Sequence, residues 1–147
     1  MANKYITFWS VAIFVFVLDI VTKLLVAKNI PLNRSIDFPF FSISHILNTG
    51  TAFGVLKNAS WFFVVFAVAV SVFLILKYKT FAKNIQPILG LILGGAVGNL
   101  VDRLLYGAVI DFIDFHFWPA FNVADTAISV AVVLILLREY WPQKRNI

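Results

Sequence analysis

Asp111 and Asp125 have no cation within a helical turn of them. Asp111 lies in the stretch VIDFIDF, and Asp125 lies at the head of FNVADTAISVAVVLILL, just before a long apolar run. Two carboxyl groups brought together in a partly dry site cannot both ionise readily, so they share a proton. The ionised one can then take a proton from water while the protonated one polarises a carbonyl, the acid–base arrangement of aspartic proteases. Asp114 could replace either partner, but the two-residue period of a strand turns it away from Asp111. Asn122, three residues before Asp125, could orient that carboxylate or donate to a developing oxyanion.

Other chemistries lack their residues. The chain has no cysteine, hence no disulfide, thiolate metal site or cysteine nucleophile. Its two histidines, His45 and His116, are too few and too far apart for a zinc site of known spacing, and no H-E-x-x-H occurs. There is no G-x-S-x-G elbow and no Walker or dinucleotide glycine pattern. Neither a metal nor an organic cofactor is expected.

The elements that must position these acids follow from composition. Of 147 residues, 61% are hydrophobic and 13% charged, far from the roughly 45–50% and about 25% of a soluble domain. That balance is an integral membrane protein's. Four apolar runs, at about 5–27, 60–76, 85–101 and 123–140, approach the roughly 20 residues that cross a bilayer. They leave outer loops at 28–59 and 102–122 within one membrane domain, 1–147. Asp19 and Lys23 interrupt the first run and no small-residue cleavage pattern follows, so it reads as a retained span rather than a signal peptide. Lys4, Lys77, Lys79, Lys83, Arg138, Lys144 and Arg145 fall on one side of these spans. Only Lys28, Arg34, Lys57 and Arg103 fall on the other, which places both termini in the cytoplasm. The net charge of +5 is thus a topology signal, and no nucleic-acid partner is expected. The unusual polar residues then cluster at the outer surface.

A carboxylate in mid-membrane costs about 2.5–3.5 kcal/mol, so Asp19, Asp102, Asp111 and Asp125 must be paired, near the interface, or facing water. Asp19 and Lys23, four apart, share a helical face and can pair. Gly90, Gly94 and Gly98 recur every fourth residue, a spacing that lets helix backbones approach closely. Asn99, Asp102 and Arg103 follow on one face, with Arg103 free to reach a carbonyl or lipid group. In the outer loops, FSISH (41–45) and DFIDFHF (111–117) alternate as short surface strands do, and Pro31 and Pro39 suit an ordered cap.

Five stretches in order, DIVTK (19–23), NTGTAF (48–53), GGAVGNLVDR (94–103), VIDF (109–112) and FNVAD (121–125), resemble the lipoprotein signal peptidase, or signal peptidase II, family over nearly the whole chain. The resemblance implies an all-α membrane protein of four transmembrane helices with a small extracytoplasmic β-sheet cap. It implies a bacterial inner-membrane aspartic endopeptidase that cuts prolipoproteins before the cysteine that carries a diacylglyceryl group. By motif, Asp111 and Asp125 match the catalytic pair. Asn48, Gly50, Asn99, Arg103 and Asn122 match positions that line the substrate site and bind globomycin-type inhibitors. Asp19, Lys23 and Asp102 match supporting positions. The implied partners are diacylglyceryl-modified prolipoproteins and membrane lipid, with the enzyme acting as a monomer. Thr51 stands where alanine is common, and the connection from Asp111 to Asp125 is short. The competing reading is a small proton-coupled transporter, which would spread its acids through the membrane depth rather than gather them at one side.

Overall fold

The computed structural model describes residues 5–50 and 60–140. Thr51 and the basic Lys4, Lys57, Lys144 and Arg145 lie outside the described residues. Four helices carry the fold: α1 (Ile6–Asn29), α2 (Ser60–Lys77), α3 (Gln86–Tyr106) and α4 (Val123–Tyr140). Three of them, with the short 3-10 turns flanking α2 and α3, are long and apolar enough to cross a membrane. The fourth holds Asp125, Arg138 and Glu139 within its 18 residues. Large apolar side chains cover the outside of the bundle, with Phe14 at 66%, Phe62 at 61% and Leu76 at 71% exposure. Such a surface is stable against lipid and not against water.

Helix α3 is the centre: α1, α2 and α4 all pack on it, whereas α2 and α4 share no extensive contact. Its glycines make this possible. A Cβ at Gly90 would lie 2.6 Å from the Phe8 carbonyl oxygen, one at Gly94 2.5 Å from that of Ala12, and one at Gly95 2.6 Å from that of Ala124. Gly98 differs in kind, because the space its missing side chain leaves is taken by the Asp19 carboxylate. Away from that carboxylate the seam is closed by Phe8, Ala12, Leu74, Tyr78, Leu89 and Leu93.

A three-stranded antiparallel sheet of order β1-β2-β3 caps the bundle, built from β1 (Ser35–Asp37), β2 (Ser42–Asn48) and β3 (Val109–Asp114). Register pairs Ile46 with Asp111 and Asn48 with Val109, with an irregularity between Ile43 and Ile46.

Three features differ from the sequence reading. Helix α3 runs to Tyr106 rather than stopping near 101, so Asp102 and Arg103 are helical and the outer connection begins at Gly107. Gly107, at φ 70°, ends the helix in the left-handed conformation, and its N–H donates to the Arg103 carbonyl at 3.0 Å. The last strand spans 109–114 rather than 111–117, because His116 adopts φ 66° and turns the chain out of the sheet. The short strand β1 was not anticipated; only three residues long and exposed on all of them, Ile36 included, it is too short to carry an alternating signature.

Candidate active site

Asp111 and Asp125 reach one cavity from different elements, Asp111 from the middle of β3 and Asp125 from the first turn of α4. The cavity, about 770 Å³, lies between α2 and α4 with α3 as its floor. Its sides are apolar, formed by Phe63, Phe66, Ala67 and Val70 of α2, Ile92 and Ala96 of α3, and Ile128 of α4. Its polar end holds Asn48, Gly50, Asn99, Arg103 and the two carboxylates, and Trp118, Pro119, Ala120 and Phe121 wall it from the β3–α4 connection.

Each carboxylate is held by amides. Asn48 Nδ2 donates to Asp111 Oδ2 at 2.9 Å and Asn122 Nδ2 to Asp111 Oδ1 at 2.8 Å, while Asn99 Nδ2 donates to Asp125 Oδ1 at 2.8 Å. The Gly50 N–H donates to Asn48 Oδ1 at 3.0 Å and so fixes which way that amide faces. Asn122 is also the N-cap of α4: its Oδ1 accepts the backbone N–H of Asp125 at 2.9 Å. Asp19 Oδ1 accepts the next orphan donor, the N–H of Ala124, at 2.9 Å. The opening of α4, and with it the position of Asp125, is therefore set by one residue of its own and one from α1.

Beneath the pair lies a buried ion cluster. Lys23 Nζ, 2% exposed, meets Asp19 Oδ2 at 2.7 Å and Asp102 Oδ2 at 2.9 Å and donates to Asn99 Oδ1 at 2.9 Å. Asp102 Oδ2 also accepts the N–H of Ile110 at 3.0 Å, which ties α3 to the strand residue before Asp111. The ammonium thus has three acceptor oxygens within 2.9 Å, two of them charged, an arrangement that offsets the desolvation of buried charge. Arg103 does not pair with its neighbour Asp102. Its Nη1 lies 3.4 Å from the Asn99 carbonyl, and its guanidinium packs 5.1 Å from the Phe63 ring.

The environment of Asp111 raises its carboxyl pKa to about 7 from an ordinary 3.8. Burial away from water contributes most and the charge of Asp125 adds to it, while the amides of Asn48 and Asn122 pull the other way. An acid so placed can hold a proton near neutral pH.

All ten residues singled out in the sequence come together at this one end of the bundle. Asp114 does not: it is on the other face of β3 and accepts the His116 N–H at 2.7 Å. The sequence reading missed the cavity walls, Phe63, Phe66, Trp118 and Phe121, because aromatic residues are common throughout the chain and nothing local separates lipid-facing rings from cavity-facing ones. It also missed the bond from Lys23 to Asp102, which joins residues with no sequence proximity.

The fold is that of a multi-pass membrane protein, and comparison with known proteins puts it in the protease class. A family profile described as Signal peptidase (SPase) II matches residues 11–141. The lipoprotein signal peptidase of Thermodesulfovibrio yellowstonii is 44% identical over 136 residues, covering 88% of this chain and 92% of the relative. That of Halothermothrix orenii is 37% identical over 141 residues, covering 93% and 97%. A bacterial membrane enzyme solved by the in meso method at 2.3 Å superposes with a TM-score of 0.85 at 32% identity, covering 96% of this chain and 93% of that one. A second, solved at 1.9 Å, superposes with a TM-score of 0.82 at 32% identity, covering 93% and 94%. The chain belongs to the signal peptidase II family.

Proposed function

We propose that the protein is a prolipoprotein signal peptidase that works as an aspartic endopeptidase, cleaving before a diacylglyceryl-modified cysteine. The observation that carries this reading is the convergence of Asp111 and Asp125 on one cavity, each held by its own amide donors, with Asp111 able to keep a proton near pH 7. Asp111 is the acid. Asp125, in the first turn of α4 where the helix dipole favours negative charge, is the base. Asp125 takes a proton from water as the water oxygen attacks the scissile carbonyl carbon, and Asp111 protonates the carbonyl oxygen. Collapse of the tetrahedral intermediate returns that proton to Asp111, while the proton on Asp125 passes to the departing amide nitrogen as the C–N bond breaks. No bound group beyond water enters the balance.

In this reading the whole chain is one membrane domain with α4 as a fourth span. Both termini are cytoplasmic and the site opens at the outer face of the bacterial inner membrane. The apolar walls between α2 and α4 suit a signal-peptide helix, with acyl chains left in the surrounding lipid. Anchoring both partners in one bilayer supplies the high local concentration that replaces tight binding. Asn48, Gly50, Asn99, Arg103 and Asn122 bind substrate or hold the pair, and globomycin-type inhibitors compete for the same cavity. The enzyme acts as a monomer.

The test is incubation of purified protein in lipid with a diacylglyceryl-modified prolipoprotein, alongside Asp111→Asn and Asp125→Asn checked for folding. Cleavage by the wild type, lost in both folded variants, is the expected result. Near-normal cleavage by either variant would remove that residue from the pair, and no cleavage by folded wild type would overturn the reading.

A further inference from the structure

His116 plays no part in the chemistry above, yet it is held in an unusual way. Its φ of 66° is one of two positive values at non-glycine residues among those described, a conformation that costs about 1–3 kcal/mol and persists only where the surroundings enforce it. Backbone and side chains hold it together: the Phe117 N–H donates to the Phe115 carbonyl at 2.8 Å, closing a three-residue turn about His116, and side chains of three strands gather beside it. Ser42 Oγ on β2 lies 2.7 Å from Asp37 Oδ1 of β1 and 3.1 Å from His116 Nε2. On β3, Asp114 Oδ1 accepts the His116 N–H at 2.7 Å and lies 3.7 Å from its Nδ1. Ser35 Oγ donates to the same Asp37 oxygen at 2.7 Å.

Ser42, His116 and Asp114 stand in the order of a hydrolase triad, but the serine is 1% exposed. Its single proton also goes to Asp37, a carboxylate that these serine hydroxyls hold below its ordinary pKa. An unreachable hydroxyl already donating elsewhere is no nucleophile. With that proton committed, His116 Nε2 must be the donor to Ser42 Oγ. The cluster is a clamp.

What it clamps is the connection that walls the carboxylate site. After His116 the chain reverses, and Phe121 pairs back onto the end of β3 through three backbone bonds: its N–H donates to the Ile113 carbonyl at 3.0 Å, and its carbonyl accepts from Phe112 and Ile113 at 3.0 and 2.8 Å. Between the reversal and this pairing stand Trp118, Pro119 and Ala120, all on the cavity wall. Without the left-handed turn β3 would run on past the site instead of folding over it.

We propose that His116 is a positioning residue: clamped through Ser42 to Asp37, it folds the 115–121 connection over the carboxylate pair and sets how tightly that wall closes on the substrate peptide. This rests on the proteolytic reading above. A loosened wall must be ordered each time a peptide binds, so its release raises KM and leaves the chemical step alone.

The absence of cysteine makes a single spin label at Phe117→Cys specific, and Phe117 is 83% exposed on the clamped segment without lining the cavity. Label mobility is read in lipid for the otherwise unchanged protein, for Ser42→Ala, for His116→Asn and for both together. Asparagine tolerates the left-handed turn but is too short to reach Ser42. The expected result is a restricted label that becomes mobile in either variant and no more mobile in the double variant. In unlabelled proteins, KM for lipid-modified prolipoprotein should rise about fivefold, the equivalent of one hydrogen bond, with kcat within about twofold. An unchanged spectrum in folded Ser42→Ala overturns the clamp. A mobile label with unchanged KM, or a fall confined to kcat, overturns the role in closure. If wild type cleaves nothing, the proteolytic reading falls, and the label still decides whether the clamp exists.

Discussion

The α1–α3 seam is built in two ways along its length. At one end it is apolar: Phe8 stacks on Tyr78 with ring centroids 4.5 Å apart, and Leu74, Leu89 and Leu93 fill the space around them. At the other, Lys23 is surrounded by Asp19, Asn99 and Asp102. Both ends are buried, but they specify different things. Apolar packing rewards shape and tolerates exchange between side chains of similar volume. A buried cation demands particular acceptors at particular distances and is costly when one is lost. The tolerant end holds the helices together, and the demanding end fixes where β3 and α4 must lie for two carboxylates to meet.

That contrast can be broken in order of effect. Replacing either acid of the pair by asparagine should lower kcat by roughly 10²–10⁴-fold, as loss of a positioned acid or base does, with little change in thermal stability; single-turnover cleavage assays beside melting curves separate the two. Protonation should act on the same site. In the proposed mechanism Asp111 is the acid that holds the proton, so kcat/KM should fall about tenfold per unit as pH rises beyond its pKa of about 7. The same shift has a stability consequence. Between the ordinary 3.8 and about 7 the folded protein keeps a proton that the unfolded chain has released. Stability should therefore decline as pH rises through that window and level off above it. Asp111→Asn should flatten the decline, as measured by unfolding in detergent at a series of pH values.

Lys23→Met should cost about 3–5 kcal/mol by leaving two buried carboxylates without their cation, and should abolish cleavage as well. Survival of both stability and activity would show that the ion cluster is dispensable. Gly94→Ala tests the close approach between helices. With its new Cβ 2.5 Å from the Ala12 carbonyl oxygen, the helices must separate, at about 1–3 kcal/mol. Leu93→Met at the apolar end is the mildest change, at less than about 1.5 kcal/mol, and should leave activity at the wild-type level. A large loss there would erase the distinction between the two ends.

Legibility in the sequence followed the range of each interaction. The Asp19–Lys23 pair could be read because four residues is one helical turn. The meeting of Lys23 with Asp102, and of Asp19 with the N–H of Ala124, could not, because nothing local links those positions. Gly98 was read with Gly90 and Gly94 as packing, but its missing side chain accommodates a carboxylate, a difference that depends on which residue of α1 lies opposite. The end of α3 was set too early because the apolar run stops near 101, while the helix itself continues to Tyr106 and is closed by Gly107. For His116 the local part, Asp114 accepting the N–H two residues on, is a turn signal that the strand alternation masked, whereas the contact of its ring with Ser42 joins residues far apart in the chain. The pairing of Asp111 with Asp125 was suggested by their lack of local cations, and its geometry depended on Asn48, Asn99 and Asn122, from a strand, a helix and a helix cap.

The bond from Asp19 to the N–H of Ala124 also has a meaning in time. A ribosome delivers α1 long before α4, so the first helix enters the bilayer with an acceptor whose partner has not been made. Asp111 likewise emerges ahead of the residue it must face. The site can close only when the final helix docks, so a nascent chain stalled or truncated before that point carries no assembled peptidase among the precursors being inserted beside it.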